Sequence, residues 1–311
     1  MPHCQAIQFS QPRDLVVAQI ALNERKANEA IVSINVSGIS TGTERLLWTG
    51  EMPPFPGLGY PLVPGYEAVG RVAVADDTGR IAAGSRVFVP GSSGFSEARG
   101  LFGASASDLL VTADRLAPLP DCITDEDAVL LALAATAHHA IGIGSALPEL
   151  VIGHGALGRL VARITVALGG RPTVWETQAA RRGGADNYAV VDPAEDERRD
   201  YASALDVSGD SAILDQLMPR LARRGEIVLA GFYKQPVAFA FPPAFMREAQ
   251  IRIAAEWRPE DMAAVIRLAE TGRLSLSGIA THRGRPGAAD AAYRTAFEDA
   301  DCLKMILDWR A

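Results

Sequence analysis

The stretch Val151–Leu160, VIGHGALGRL, decides how the chain is read. Its first residues close a short apolar run, and its last open LGRLVARITVALGG, where Leu157, Leu160, Val161, Ile164 and Leu168 recur at helical spacing before Gly169 and Gly170 stop the helix. Between strand and helix lies a G-x-G-x-x-G made by Gly153, Gly155 and Gly158. Glycine at the first position permits a tight turn, at the second it lets a pyrophosphate approach the backbone, and at the third it lets helix and strand touch. The helix N-terminus favours negative charge. The following run, PTVWE, ends in Glu176, 21 residues after Gly155. An acid there can bind the adenosine ribose hydroxyls and repel a 2′-phosphate, which points to NAD. The plainer alternative is a solvated glutamate at a strand end, and Arg181 and Arg182 leave NADP open.

Outward from this point the chain alternates. PTVWE, NYAVVD, ALDVSG and EIVLAGF read as short buried strands, with DSAILDQLMPRLARRG as an intervening helix. This predicts an α/β unit with a doubly wound parallel sheet, helices on both faces, over residues 119–242. Upstream, EAIVSINVSG, GRVAVAD and SRVFVPG are short alternating strands stopped by Gly, Pro or Asp, as in a small barrel or sandwich. MPPFPGLGYPLVPG is dense in Pro and Gly and reads as a stiff loop. After residue 242 come a strand at IRIAAEW, a helix at EDMAAVIRLAETG, an Ala-rich helix over 288–300 and a last strand at CLKMILDW, able to complete either domain.

Composition narrows the function. With 311 residues, 48% apolar and 22% charged, the chain suits two globular domains. Thirty Lys and Arg against 37 Asp and Glu, without a basic block, argue against nucleic acid as a partner. Cys4, Cys122 and Cys302 form no CxxC pair and suggest neither disulfides nor a thiolate zinc site, which fits a reducing cytoplasm. The first residues lack a signal-peptide pattern. Residues 128–147 carry no Asp, Glu, Lys or Arg and are long enough to span a bilayer, but His138, His139, Gly142 and Gly144 favour a buried helix at a domain junction. No transmembrane segment is expected.

GISTGTE (38–44), PGYEAVG (64–70), GSRVFV (84–89), GHGALG (153–158) and ALDVSG (204–209), in this order and spacing, resemble the medium-chain dehydrogenases over essentially the whole chain. That resemblance implies a GroES-like catalytic domain built from both chain ends, 1–118 and 243–311, around a Rossmann domain at 119–242. Residues 37–72, SGISTGTERLLWTGEMPPFPGLGYPLVPGYEAVGRV, are similar to the branch of the family that uses NAD to oxidise the 1-hydroxyethyl group of a bacteriochlorophyllide to acetyl. By that resemblance the substrate is a hydroxyethyl (bacterio)chlorophyllide. A homodimer, hand-over from other pigment-pathway enzymes and a place at the photosynthetic membrane are compatible with it.

Zinc enzymes of the family take ligands from positions that here hold Ser40, Tyr66 and the uncharged stretch around Ala132, and their cysteine-rich lobe here reads FVPGSSGFSEARGLFGASASD. The resemblance therefore implies alcohol oxidation without metal. Thr43 matches the family hydroxyl that relays the alcohol proton. Tyr66 is either an oxygen-positioning group, a base, or filler bonded to a neighbour such as Glu67. Thr136 lies in the region that lines the nicotinamide in the family. His138 or His139 could accept the proton, and adjacent helical residues diverge by about 100°, so at most one is expected to face the site. Of the two, His139 is the candidate for this role. His154 reads as a spacer near the pyrophosphate. Trp48, Phe55, Leu58 and Tyr60 could line a wide apolar mouth, and Arg45 or Arg99 could meet the substrate carboxylate. Two other functions fit the same motifs: a zinc-free quinone or enone reductase, and a non-catalytic NAD-binding redox sensor.

Overall fold

The computed structural model describes residues 3–54 and 56–310. The chain divides into two compact units, residues 1–132 with 277–311, and residues 133–276.

The second unit carries a six-stranded sheet in the order Ala189–Val191, Thr173–Trp175, Leu150–Ile152, Tyr201–Asp206, Leu221–Leu229, Gln250–Ile253. Every neighbouring pair is parallel. Numbered by chain position this is the 3-2-1-4-5-6 order of a dinucleotide-binding sheet. The central strands are apolar because both their faces are covered, with Leu150, Val151, Val174, Ala204, Leu205 and Ile227 fully buried, whereas the edge strand Gln250–Ile253 is exposed.

The unit is larger than the sequence pattern suggested. Gln250–Ile253 pairs with Leu221–Leu229, so the boundary expected at 242 lies instead near 276, and the one expected at 118 lies near 132. The helix expected over residues 210–225 is cut to Ile213–Leu217 and one 3-10 turn, Met218–Arg220. Pro219 lacks an N–H and disfavours a helical residue before it, so the apolar pattern beyond it is freed for the strand that begins at Leu221. Nor are both faces fully wound: no α-helix lies between Trp175 and Ala189 or between Val191 and Tyr201.

The first unit is β-rich. A seven-stranded sheet runs His282–Gly284, Met305–Asp308, Glu29–Ile39, Ala68–Val74, Arg86–Val89, Ala117–Pro118, with Asp108–Thr112 also pairing Glu29–Ile39. A four-stranded sheet holds Asp14–Ala21, His3–Gln11, Leu62–Val63 and Arg99–Gly100. The last strand of the chain pairs antiparallel with Glu29–Ile39, and the helix Ala289–Glu298 buries Ala292, Tyr293, Ala296 and Phe297 against Ile7, Phe9, Ile39 and Leu47. Both chain ends therefore build one core. The apolar stretch at 128–147 becomes Asp125–Ala128 and Leu131–Gly142. Among the described residues no helix is long and apolar enough to cross a membrane.

One polar contact ties the returning C-terminal segment to the turn at Gly65–Glu67. Lys304 Nζ donates to Glu67 Oε2 at 2.7 Å and to the Ile39 carbonyl at 3.3 Å, with both side chains almost wholly buried. Lys304→Met leaves a buried carboxylate without its cation and should destabilise the protein by roughly 3–5 kcal/mol, whereas Lys304→Met with Glu67→Gln should recover most of that loss. Urea unfolding of the three proteins checks this; equal loss in the single and double variants would contradict it.

Candidate functional site

The three glycines of the turn have separable physical roles. Gly153 sits at φ +99°, a conformation that side chains rarely adopt. A Cβ on Gly158 would lie 1.8 Å from the Gly153 carbonyl oxygen, so this glycine lets the helix Ala156–Ala167 pack onto the strand end. Gly155 is different: nothing lies within 4 Å of its Cβ position, and its φ of −73° is open to any residue. The space beside its backbone at a helix N-terminus is where a pyrophosphate fits.

Glu176 ends its strand buried, its Oε2 accepting from His154 N at 3.1 Å and its Oε1 from Gln178 N at 2.8 Å. The carboxylate is thereby held beside the glycine turn. His154, read from the sequence as a spacer in the turn, is fully buried, with Nδ1 bonded to the Arg181 carbonyl at 2.7 Å and Nε2 to Tyr188 Oη at 2.8 Å. Burial lowers its pKa to about 4, so it is neutral at ordinary pH. Gly153, Gly155, Gly158 and Glu176 thus form a set that fits a dinucleotide.

In the first unit, Ser40 follows the strand Glu29–Ile39 and Tyr66 sits on the Gly65–Glu67 turn, where Gly65 takes φ +93°. Ser40 Oγ and Tyr66 Oη lie 2.7 Å apart, and Thr43 also bonds the phenol. The ring packs edge-on against Phe102 at 5.5 Å. Burial, and then the charge of Glu67, push the Tyr66 pKa well above that of an ordinary phenol, so the group stays a proton donor and does not serve as a resting base. The bond to Glu67 that a filler role would make is not formed: Lys304 holds the Oε2 of that carboxylate, and its buried Oε1 has no hydrogen-bond partner.

These positions do not fit zinc. The donors are hydroxyls bonded to one another, and among the described residues no three His, Cys, Asp or Glu side chains converge to hold a metal. Directly behind them lies Glu44, a residue that sequence reasoning passed over. Its Oε1 accepts from Ser40 N at 2.8 Å and its Oε2 from the Tyr293 hydroxyl at 2.7 Å. Burial pushes its pKa up to about 7, with Glu67 adding to the rise and the Ser40 and Tyr293 donors opposing it.

In the second unit, Thr136, His138 and His139 lie on the helix Leu131–Gly142. The two histidines were expected to diverge, yet both rings reach one carboxylate: His138 Nδ1 meets Asp261 Oδ1 at 2.7 Å and His139 Nδ1 meets Oδ2 at 3.0 Å. A side chain 122 residues beyond His139 can bridge neighbouring helical positions, which local angular spacing does not anticipate. Asp261 also caps its own helix, accepting from Arg258 N at 2.9 Å. Its dependence on tertiary packing hid it from sequence reasoning.

The expected apolar mouth is only partly assembled. Trp48 is 7% exposed and packs against Phe297 at 5.6 Å, with Arg13 and Arg294 over its ring, so it belongs to the core. Tyr60 and Leu58 pack half-buried on the same cluster, and the Tyr60 hydroxyl donates to the Leu47 carbonyl. Phe55 lies outside the described residues. Arg99 bonds the Leu58 carbonyl at 3.4 Å, while Arg45 is exposed.

Comparison with known proteins fits this geometry. Residues 26–121 match the alcohol dehydrogenase GroES-like domain. The chain is 57% identical to 2-desacetyl-2-hydroxyethyl bacteriochlorophyllide A dehydrogenase of Cereibacter sphaeroides and covers 98% of each sequence. It is 53% identical to the protein of the same name from Rhodobacter capsulatus, again over 98% of both. Among solved structures, L-idonate 5-dehydrogenase of Escherichia coli shares the fold with a TM-score of 0.86, at 17% identity and 99% coverage of both chains.

Two measurements test the site's construction. Gly158→Ala should cost about 1–3 kcal/mol or more through overlap with the Gly153 carbonyl. Gly155→Ala should leave the melting temperature nearly unchanged but weaken dinucleotide binding about tenfold or more; equal melting losses in both would refute the division. For Glu44, a carboxyl whose folded pKa is raised from 4.5 to about 7 contributes stability below pH 4.5 that is lost as pH rises through 7. Glu44→Gln removes this loss, so the variant should gain on wild type by on the order of 2 kcal/mol between pH 5 and pH 8. Denaturant titrations at the two pH values check the sign.

Proposed function

Since the chain belongs to the family of the 2-desacetyl-2-hydroxyethyl bacteriochlorophyllide A dehydrogenases, within the medium-chain dehydrogenases, we propose that it oxidises the 1-hydroxyethyl group of a (bacterio)chlorophyllide to acetyl, using NAD and no catalytic zinc. The observation that carries the metal-free part is the bonded hydroxyl pair of Ser40 and Tyr66, at two of the positions where zinc enzymes of the family place ligands, with Thr43 beside the phenol.

Oxidising a secondary alcohol removes a hydride from carbon and a proton from oxygen. The dinucleotide, held by the turn at Gly153, Gly155 and Gly158 and by Glu176, supplies the hydride acceptor. The protein must hold the oxygen and take the proton. Ser40 and Thr43 lie against the Tyr66 oxygen, and a phenol kept protonated by its surroundings can donate to a substrate oxygen that gains negative charge as its proton is taken, before hydride departure turns it into the neutral carbonyl. The product ketone conjugates with the macrocycle, which lowers the electrophilic assistance required. The proton acceptor is His139: Asp261 at its Nδ1 orients the ring and leaves Nε2 as the acceptor nitrogen. Thr43 serves as the hydroxyl through which the proton leaves the substrate oxygen.

The reading is tested by mixing protein, NAD and the hydroxyethyl pigment and following the pigment absorbance, with and without a chelator. Turnover undiminished by the chelator is expected. Tyr66→Phe should lower kcat about 100-fold, as for loss of one oxyanion donor, with little change in melting temperature. Turnover of simple alcohols but not of the pigment would sink the substrate assignment, and unchanged kcat in Tyr66→Phe would reduce the phenol to packing.

A further inference from the structure

Arg181 and Arg182 follow Glu176 closely enough to grip a 2′-phosphate, the use that arginines near this strand end commonly serve. The loop that carries them is fastened from inside. Arg159, 6% exposed and on the helix after the glycine turn, donates from Nε to the His154 carbonyl at 3.2 Å. From its two terminal nitrogens it reaches the carbonyls of Arg181 at 3.1 Å, Gly183 at 2.8 Å and Gly184 at 3.2 Å. His154 Nδ1 meets the Arg181 carbonyl as well. The contact is close: a Cβ on Gly184, at φ +77°, would come within 2.5 Å of an Arg159 nitrogen.

The Arg182 guanidinium is turned back onto its own strand end. Its Nε donates to the Glu176 carbonyl at 2.8 Å and a terminal nitrogen to the Thr177 carbonyl at 3.0 Å; the same nitrogen pairs with Asp192. Asp192 directly follows the strand Ala189–Val191, which lies beside the strand of Glu176 in the sheet. Its other oxygen accepts from Ala194 N at 2.9 Å, so the carboxylate is oriented by its own turn.

We propose that Asp192 is a specificity-determining residue: by holding Arg182 against the strand end, it withholds from the adenosine pocket the cation that a 2′-phosphate would need. Glu176 alone is a repulsive device. Asp192 adds the removal of an attractive one, and the pair discriminates by both means. Two carbonyls position the guanidinium and one carboxylate neutralises it, so loss of the carboxylate leaves an unpaired positive charge at the strand end that carries Glu176. This rests on the proposed use of NAD by the same turn.

The experiment measures dissociation constants for NADH and NADPH by quenching of protein fluorescence, and for 5′-AMP and 2′,5′-ADP by calorimetry, on wild type, Asp192→Asn, Arg182→Ala and the double variant. Asp192→Asn should tighten NADPH and 2′,5′-ADP at least tenfold while NADH and 5′-AMP stay within about threefold, which also reports an intact pocket. Adding Arg182→Ala should abolish the gain, and Arg182→Ala alone should leave NADPH weak. The proposal is overturned if Asp192→Asn does not tighten 2′,5′-ADP, or if the gain survives in the double variant. Wild type that prefers NADPH would instead overturn the NAD reading, a result read from the first protein alone. If Asp192→Asn loses NADH as well, Asp192→Glu decides: retained NADH with weak NADPH supports the carboxylate's role, and tightened NADPH refutes it.

Discussion

The buried pair of Lys304 and Glu67 is the contact on which the first unit's arrangement turns. It is made between residues 237 positions apart, and it carries the final strand, the Gly65–Glu67 turn and the end of the strand Glu29–Ile39 into one place. Gly38 records how close the approach is, since a Cβ there would meet Glu67 Oε2 at 2.6 Å. Taking two charges out of water is costly, and a hydrophobic pair of the same volume could hold the strands together as well. What the ion pair adds is position. It fixes Glu67, and through the adjacent peptide Tyr66, relative to Ser40, so the hydroxyl cluster sits on a frame closed by both ends of the chain.

The second unit fastens a loop from inside with one buried cation, Arg159, whose bonds run to backbone carbonyls. Where a helix might pack between Trp175 and Ala189, the chain offers a loop whose carbonyls need donors, and Arg159 and His154 supply them from beneath the glycine turn. Because His154 is neutral, its ring can bridge the Arg181 carbonyl and Tyr188 without adding a second buried charge beside Arg159. The glycine turn is therefore braced by its own residues and their neighbours, and on the proposed reading this is a rigid base for close backbone approach.

Much of this was legible in the sequence wherever a local rule governs. Gly153, Gly155 and Gly158 between an apolar run and a 3.6-period helix, with an acid at the next strand end, are statements about backbone and spacing, and each is where the pattern places it. That Ser40 and Tyr66 stand where zinc enzymes place ligands was visible only through the family resemblance. The bond between them was not, and neither was Glu44 behind them, which reads in the sequence as an ordinary acid in a helix's first turn. Asp261 and Lys304 were hidden for the same reason: their partners lie more than 120 residues away. Trp48 misled in the opposite sense. An aromatic in a Pro-rich neighbourhood suggests a ligand surface, yet the helix Thr43–Thr49 turns it onto Phe297 and into the core. The extent of the second unit failed on a register: the exposed strand Gln250–Ile253 joins the parallel sheet as its edge, which its own sequence does not announce.

Replacing a metal ion with hydroxyls changes what the surroundings have to do. Zinc brings positive charge to meet the charge that develops on oxygen; a phenol brings only a dipole, and nearby anions then oppose the reaction. Two buried carboxyls, Glu44 and Glu67, lie close enough to Tyr66 for their charges to raise its pKa. The fold answers each separately. Glu67 is neutralised by Lys304, and Glu44 is pushed by burial toward its protonated form, with a pKa of about 7. On the proposed reading, the loss of zinc ligands and the treatment of these two carboxyls are one adaptation: a neutral donor can hold an incipient alkoxide only where the anions behind it have been discharged or paired.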